Sequence, residues 1–215
     1  MRSKPKAKSQ KLRAKSLMRL FLALDIPDAI RDRITRFLDG VRPFAPDARW
    51  MPPDSLHVTL KFIGEYPDDA LDQLKQSLST ITAPPPQIHF RGYGFFPTPR
   101  SARVFWIGME SGPELPALAA TIDATAATLG IPKEDRPYSP HLTLARGKGG
   151  SGSPRHGKHD RPNQVFQHLQ EKLAPLSQPE FGTMTPREFF LYQSHLSPKG
   201  STYAKLSAFP LEHAP

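Results

Sequence analysis

The chain has 215 residues, 38% of them hydrophobic, enough to bury a substantial core in one domain or two small lobes. It has no cysteine, which excludes disulfides, thiolate nucleophiles and zinc-thiolate centres and fits a reducing cytoplasm. The formal charge of +9 suggests an RNA or membrane partner, but of the 29 Lys and Arg, eight lie with no acid in residues 1–19, so 21 basic residues face 20 acidic ones in the remainder. The composition predicts a disordered basic tail over 1–17 and a single folded domain over 18–215. The tail could touch RNA phosphates non-specifically or serve only solubility.

In chain order, the apolar run Leu17 to Leu24 is broken by Arg19, followed by Asp25 and lacks a small-residue cleavage site, so it reads as a core strand rather than a leader. Pro27 and Asp28 open a helix with apolar positions at Ile30, Ile34, Phe37, Leu38 and Val41. A strand over Leu56 to Ile63 is closed by Gly64, and a second amphipathic helix uses Leu71, Leu74, Leu78 and Ile81. Pro84-Pro85-Pro86 is a loop and a candidate joint between halves. Strands over 88–96 and 103–109 precede a helix with Leu115, Leu118, Ile122 and Leu129, stopped by Gly130 and Pro132. A strand over His141 to Arg146 leads into a Gly-rich basic loop, 147–162. A helix through Val165, Phe166, Leu169 and Leu173 and strands near 188–192 and 202–209 complete the pattern. Strand, helix and strand recurring in order suggests a duplicated α+β architecture. No apolar run is long enough to span a bilayer as a helix.

Two segments repeat the same chemistry. His57-Val58-Thr59-Leu60 and His141-Leu142-Thr143-Leu144 each read His, apolar, Thr, apolar. In a strand, alternate side chains share a face, so each segment buries Val58 and Leu60, or Leu142 and Leu144, and presents an imidazole and a hydroxyl on the other side. One such segment is weak evidence, because half-buried histidines are common. Two with the same alternation, each followed by a basic residue (Lys61, Arg146), point to a shared cleft holding a general base, a general acid and two hydroxyl donors. That constellation suits phosphoryl transfer without a metal.

These residues resemble the 2H phosphoesterases, named for paired H-x-T-x motifs, and in particular the RNA 2′,3′-cyclic phosphodiesterases, also called 2′-5′ RNA ligases. The likeness extends to Met18 through Asp25, Arg49-Trp50, His57 through Glu65, Arg103 through Gly108 and Tyr138 through Arg146, so it spans about 18–210. It implies two pseudo-symmetric lobes, each an antiparallel sheet with helices on its outer face, and an active-site cleft between them. It further implies His57 and His141 as catalytic residues, with Thr59, Thr143, Arg146 and Phe62 binding substrate. Arg146 would hold phosphate and Phe62 would stack on a base. Each lies five residues after its histidine, so simple alternation puts both on the opposite face, and their roles require a bulge or strand end to reorient them.

The expected activity is hydrolysis of RNA 2′,3′-cyclic phosphate ends to 2′-phosphomonoesters by a monomeric cytoplasmic enzyme that needs no metal and no cofactor, with tRNA fragments among its substrates. His57 is read as acid and His141 as base, although pseudo-symmetry leaves the two interchangeable in sequence. The alternatives are ligation to a 5′-hydroxyl as a 2′-5′ linkage, a non-catalytic RNA-binding module, and hydrolysis of 2′-5′ oligoadenylate or a small cyclic nucleotide. His195 imitates a third motif but stands just ahead of Pro198 and Gly200, at a turn. His156 and His159 lack Cys or acidic partners at zinc spacing, and His89, His168 and His213 carry no distinguishing context.

Overall fold

The computed structural model describes residues 16–147, 164–197 and 200–212. The basic tail up to residue 15, His156, His159 and His213 lie outside them. Among the described residues, nine strands form two antiparallel sheets. One has the order β3(His57–Pro67), β1(Leu17–Asp25), β8(Glu188–Ser197), β9(Gly200–Pro210). The other has the order β2(Arg49–Trp50), β6(His141–Arg146), β5(Val104–Ser111), β4(Ile88–Phe96), β7(Glu180–Met184). The α+β architecture with two antiparallel sheets is the one the family resemblance implies.

Each sheet turns one face to a common core. Leu20, Leu22, Leu24, Val58, Leu60 and Leu191 of the four-stranded sheet share that core with Ile88, Phe90, Phe105, Ile107, Leu142 and Leu144 of the five-stranded sheet. The helices reach it by exchange. Helix α1(Asp28–Val41) follows a strand of the four-stranded sheet yet packs against β7 of the other, where Arg33 Nη1 donates to the Phe181 carbonyl at 3.2 Å. Helix α3(Glu114–Ala127) follows a strand of the five-stranded sheet yet packs against β3, and α2(Leu71–Leu78) packs on α3. The helical spacing of Ile30, Ile34, Leu38 and Val41 buries one stripe of α1, as an amphipathic surface helix requires. Phe166 stands just before α4(Gln167–Leu173) and packs against Phe95 and Phe105.

The proline run is a loop between α2 and β4, but it does not divide the chain into lobes. β2, before it, belongs to the five-stranded sheet, and β8 and β9, far after it, to the four-stranded one. Gly64 does not end its strand either: at φ 83°, a value that suits glycine, it sits beside a bulge and β3 continues to Pro67. The strands β2 and β7 are additions to the elements expected from sequence.

Candidate active site

His57 opens β3 directly across from Asp25 of β1. Its half-buried ring lies on an aromatic floor, 4.8 Å from the Phe21 ring and edge-on to Tyr203 at 5.1 Å. Its Nδ1 is 2.7 Å from the Ser55 carbonyl oxygen. A carbonyl only accepts, so Nδ1 carries the proton and Nε2 is left with its lone pair free. Burial pushes the imidazole pKa down to about 4 against the support of the Ser55 carbonyl and the Asp25 carboxylate, and Arg146 lowers it further.

His141 repeats this arrangement in the other sheet. It opens β6 across from Gly108, and its Nδ1 lies 2.8 Å from the Ser139 carbonyl oxygen, which sets the same tautomer. Its floor is Phe96, edge-on at 5.1 Å, with Trp106 at 6.4 Å. Trp106 stacks on Phe96 and lies flat over Gly94 of the paired strand, where a Cβ would come within 2.1 Å of the indole. Burial again lowers the imidazole pKa, opposed by the Ser139 carbonyl and reinforced by Arg146. The repeated unit is therefore Ser-x-His-x-Thr, and the serine two residues before each histidine is a recurrence the sequence reading passed over.

Both motif strands carry a bulge at the same place. In β3 the ladder passes from Thr59↔Ala23 to Lys61↔Leu22, leaving Leu60 without a partner, and in β6 it passes from Thr143↔Trp106 to Ala145↔Phe105, leaving Leu144 without one. Two successive residues then point inward, Leu60 with Lys61 and Leu144 with Ala145, and the alternation slips by one. Phe62 and Arg146 consequently come onto the face of their histidines. Phe62 is 50% exposed and its ring is 6.2 Å from Phe21, the same ring that supports His57. Thr59 and Thr143 are half-buried on that face, and their hydroxyls make no hydrogen bond among the described residues.

Arg146 links the two halves, because its charge bears on both imidazoles. Burial pulls the Arg146 guanidinium itself below its ordinary value, with Tyr203 opposing and Arg49 adding to the effect. The strands are also tied mechanically: Tyr138, three residues before His141, donates its hydroxyl to the Thr59 carbonyl at 3.0 Å. Beside His57, the Asp25 carboxylate accepts from Tyr192 and from Lys205, whose ammonium lies 4.0 Å from the Phe190 ring centroid. Tyr192 in turn stacks on Phe21 at 5.1 Å.

Lys61 is not at this site. It is 2% exposed and points into the core, away from the face of His57, with Nζ 2.5 Å from Asp123 of α3 and 2.9 Å from the Pro132 carbonyl. Burial pushes the Asp123 carboxyl up, but the hydrogen bonds from Lys61 and the Glu134 amide, with the Lys61 and Lys133 charges, outweigh it and leave the carboxyl below its ordinary value. His195 is exposed on β8 opposite Thr202, and His89 bonds the Thr183 hydroxyl at 2.8 Å. Among the described residues no three His, Asp or Glu converge as a metal-binding group. Two open cavities, of about 740 Å³ beside His89 and Glu110 and about 350 Å³ beside Asp25 and Phe190, are not lined by either motif histidine.

The family described as LigT-like phosphoesterase matches this chain twice, over residues 24–106 and 107–203, so that each match contains one H-x-T strand. The chain belongs to that family. The LigT-like relatives include the RNA 2′,3′-cyclic phosphodiesterase of Archaeoglobus fulgidus, 35% identical over 192 residues that cover 89% of this chain and 99% of the relative. The protein of the same name from Methanothermobacter thermautotrophicus is 32% identical, with 90% and 99% covered. Among solved LigT-like structures, one described as a phosphoesterase superposes with a TM-score of 0.72 at 26% identity, covering 92% of this chain and all of that one. E. coli LigT complexed with 3′-AMP gives a TM-score of 0.71 at 25% identity, with 92% and 100% covered. The two motif histidines thus sit one in each copy of the LigT-like repeat.

Proposed function

We propose that this protein opens RNA 2′,3′-cyclic phosphate ends to 2′-phosphomonoesters with His57 as general acid and His141 as general base. The observation that carries the reading is the pair of imidazoles, one per repeat, held in the same tautomer by a carbonyl and sharing one guanidinium, Arg146. The relatives' activity names supply the substrate class. In the forward step, water attacks phosphorus and gives a proton to His141 Nε2 while the P–O3′ bond breaks. The O3′ oxygen takes a proton from His57 Nε2, leaving the phosphate on O2′. The Thr59 and Thr143 hydroxyls and Arg146 bind the non-bridging oxygens, and Phe62, exposed on the same face, stacks on the terminal base.

The choice of His57 as acid rests on Asp25. That carboxylate stands across from His57 and favours its protonation, and among the described residues no carboxylate acts in this way on His141, while burial and Arg146 oppose protonation of both imidazoles. Both imidazoles are depressed in the free protein, and the bound phosphate anion raises them. Because kcat/KM reports the free protein and kcat the complex, the kcat profile lies at higher pH than that of kcat/KM. Both motifs come from one chain, so a monomer suffices; tRNA fragments are a fitting class of RNA end, and the cysteine-free composition suits the cytoplasm.

An oligonucleotide ending in a 2′,3′-cyclic phosphate, incubated in EDTA and resolved by phosphorus NMR, tests this. A 2′-phosphate is the expected product, and His57→Ala and His141→Ala each slow its formation by about 10²- to 10⁴-fold. Wild-type rates in either variant overturn the assignment. A 2′-5′ joined product points to ligation instead, and binding without turnover to a non-catalytic module.

A further inference from the structure

The edge strand β2 has two residues, and its alternation is unambiguous. Trp50 turns to the core, where it meets Phe105 edge-on at 6.0 Å and its Nε1–H donates to the Ala45 carbonyl at 3.1 Å. Arg49 therefore turns to the opposite face, where it is exposed. Its cross-strand partner is Arg146. Directly opposed residues of an antiparallel pair share a face, with Cβ atoms about 4.5–5.5 Å apart. Because the bulge in β6 brings Arg146 to the side of His141 and Thr143, the Arg49 guanidinium stands there too, one strand further from the imidazole.

Like charges directly opposed across a ladder repel. Neither guanidinium is paired with a carboxylate among the described residues, and the field of Arg49 works against the charge on Arg146. An anion between or beside the two heads relieves that repulsion. The terminal cyclic phosphate carries one negative charge and, on the reading above, belongs to Arg146 and the two threonines. The next anion along an RNA end is the phosphodiester that joins the last nucleotide to the chain. A mononucleoside 2′,3′-cyclic phosphate lacks it.

We propose that Arg49 forms a second anion subsite that binds this internucleotide phosphate, so that the cleft selects RNA chains over mononucleoside cyclic phosphates. The inference rests on the proposed activity for its substrate and on the Arg49–Arg146 register for its geometry. The deciding quantity is the ratio of kcat/KM for a cyclic-phosphate-ended trinucleotide to that for a mononucleoside 2′,3′-cyclic phosphate. Arg49→Ala lowers that ratio roughly tenfold, Arg49→Lys retains part of it, and the slope of log(kcat/KM) for the trinucleotide against log salt becomes shallower by about 0.7, the value for one phosphate on a single strand. A ratio in Arg49→Ala within twofold of wild type overturns the subsite. A parallel binding measurement separates this from failure of the activity: calorimetry with a 2′-phosphate-ended trinucleotide and with a nucleoside 2′-monophosphate. If the wild type turns over neither cyclic substrate, the proposed activity falls, and the subsite stands only if Arg49→Ala weakens the trinucleotide selectively.

Discussion

The motif strands β3 and β6 begin alike and diverge after the bulge. Each places histidine first, takes a carbonyl two residues back to hold Nδ1–H, and turns two successive residues into the core. The residues that differ in chemical character are those at and just after the bulge, since Leu56/Pro140 and Val58/Leu142 exchange one apolar residue for another. The inward residue is Lys61 in β3 and Ala145 in β6, and the residue returned to the face of the histidine is Phe62 in one and Arg146 in the other. A shared backbone device thus delivers an apolar ring on one side and a cation on the other. The comparison teaches that duplication supplies the paired imidazoles, while divergence at these positions makes the two sides chemically unequal.

The largest expected effect tests the inward pair. Ala145 needs no partner, but Lys61 is held by Asp123, so Asp123→Ala leaves a buried ammonium without its counter-charge and costs about 3–5 kcal/mol. Chemical denaturation measures this, and a loss below about 1 kcal/mol, typical of a solvated surface pair, would show that Lys61 reaches water.

The outward pair comes next. Removing one preorganised donor to developing negative charge costs about 10²- to 10³-fold in kcat, which is the expectation for Arg146→Ala on the cyclic-phosphate substrate. Because Arg146 lowers both imidazoles, the variant also raises both histidine pKa values, readable by NMR titration. A rise at one histidine alone would break the claim that the guanidinium serves both sides.

The smallest effect concerns the histidines as titrating groups in the free protein. With His57 moved from near 6.5 to about 4, the unfolded chain binds more protons than the folded one between those values, so stability rises with pH through that window and is lost as pH falls across it. Thermal melting from pH 7 to 4 checks this, and His57→Gln flattens the dependence. His141, lowered in the same direction, contributes with the same sign.

Much of this was readable one residue at a time. Ile30, Ile34, Leu38 and Val41 announced α1, and Val58, Leu60, Leu142 and Leu144 are buried as the alternation of their strands required. Alternation alone leaves Phe62 and Arg146 on the far face, and the bulge their roles require cannot be located from local sequence. Leu60-Lys61 carries no visible sign of a bulge, because a buried lysine makes sense only beside Asp123, 62 residues away. The short strands β2 and β7 escaped notice because two and five residues hold too little periodicity to register. The exchange of α1 and α3 between sheets was equally invisible, since an amphipathic stripe states that a face is buried and not against what.

By itself the sequence determined the chemistry on offer: two His-x-Thr strands, their apolar undersides and the family they resemble. Local periodicity encodes which side chains share a face, and that information lies within a few neighbouring residues. Tertiary structure alone decided the tautomers, the two bulges that bring Phe62 and Arg146 to the face of their histidines, the burial that depresses both imidazoles, and the meeting of Arg49 with Arg146. Each of these depends on partners distant in the chain or on the path of the backbone, and only packing brings them together.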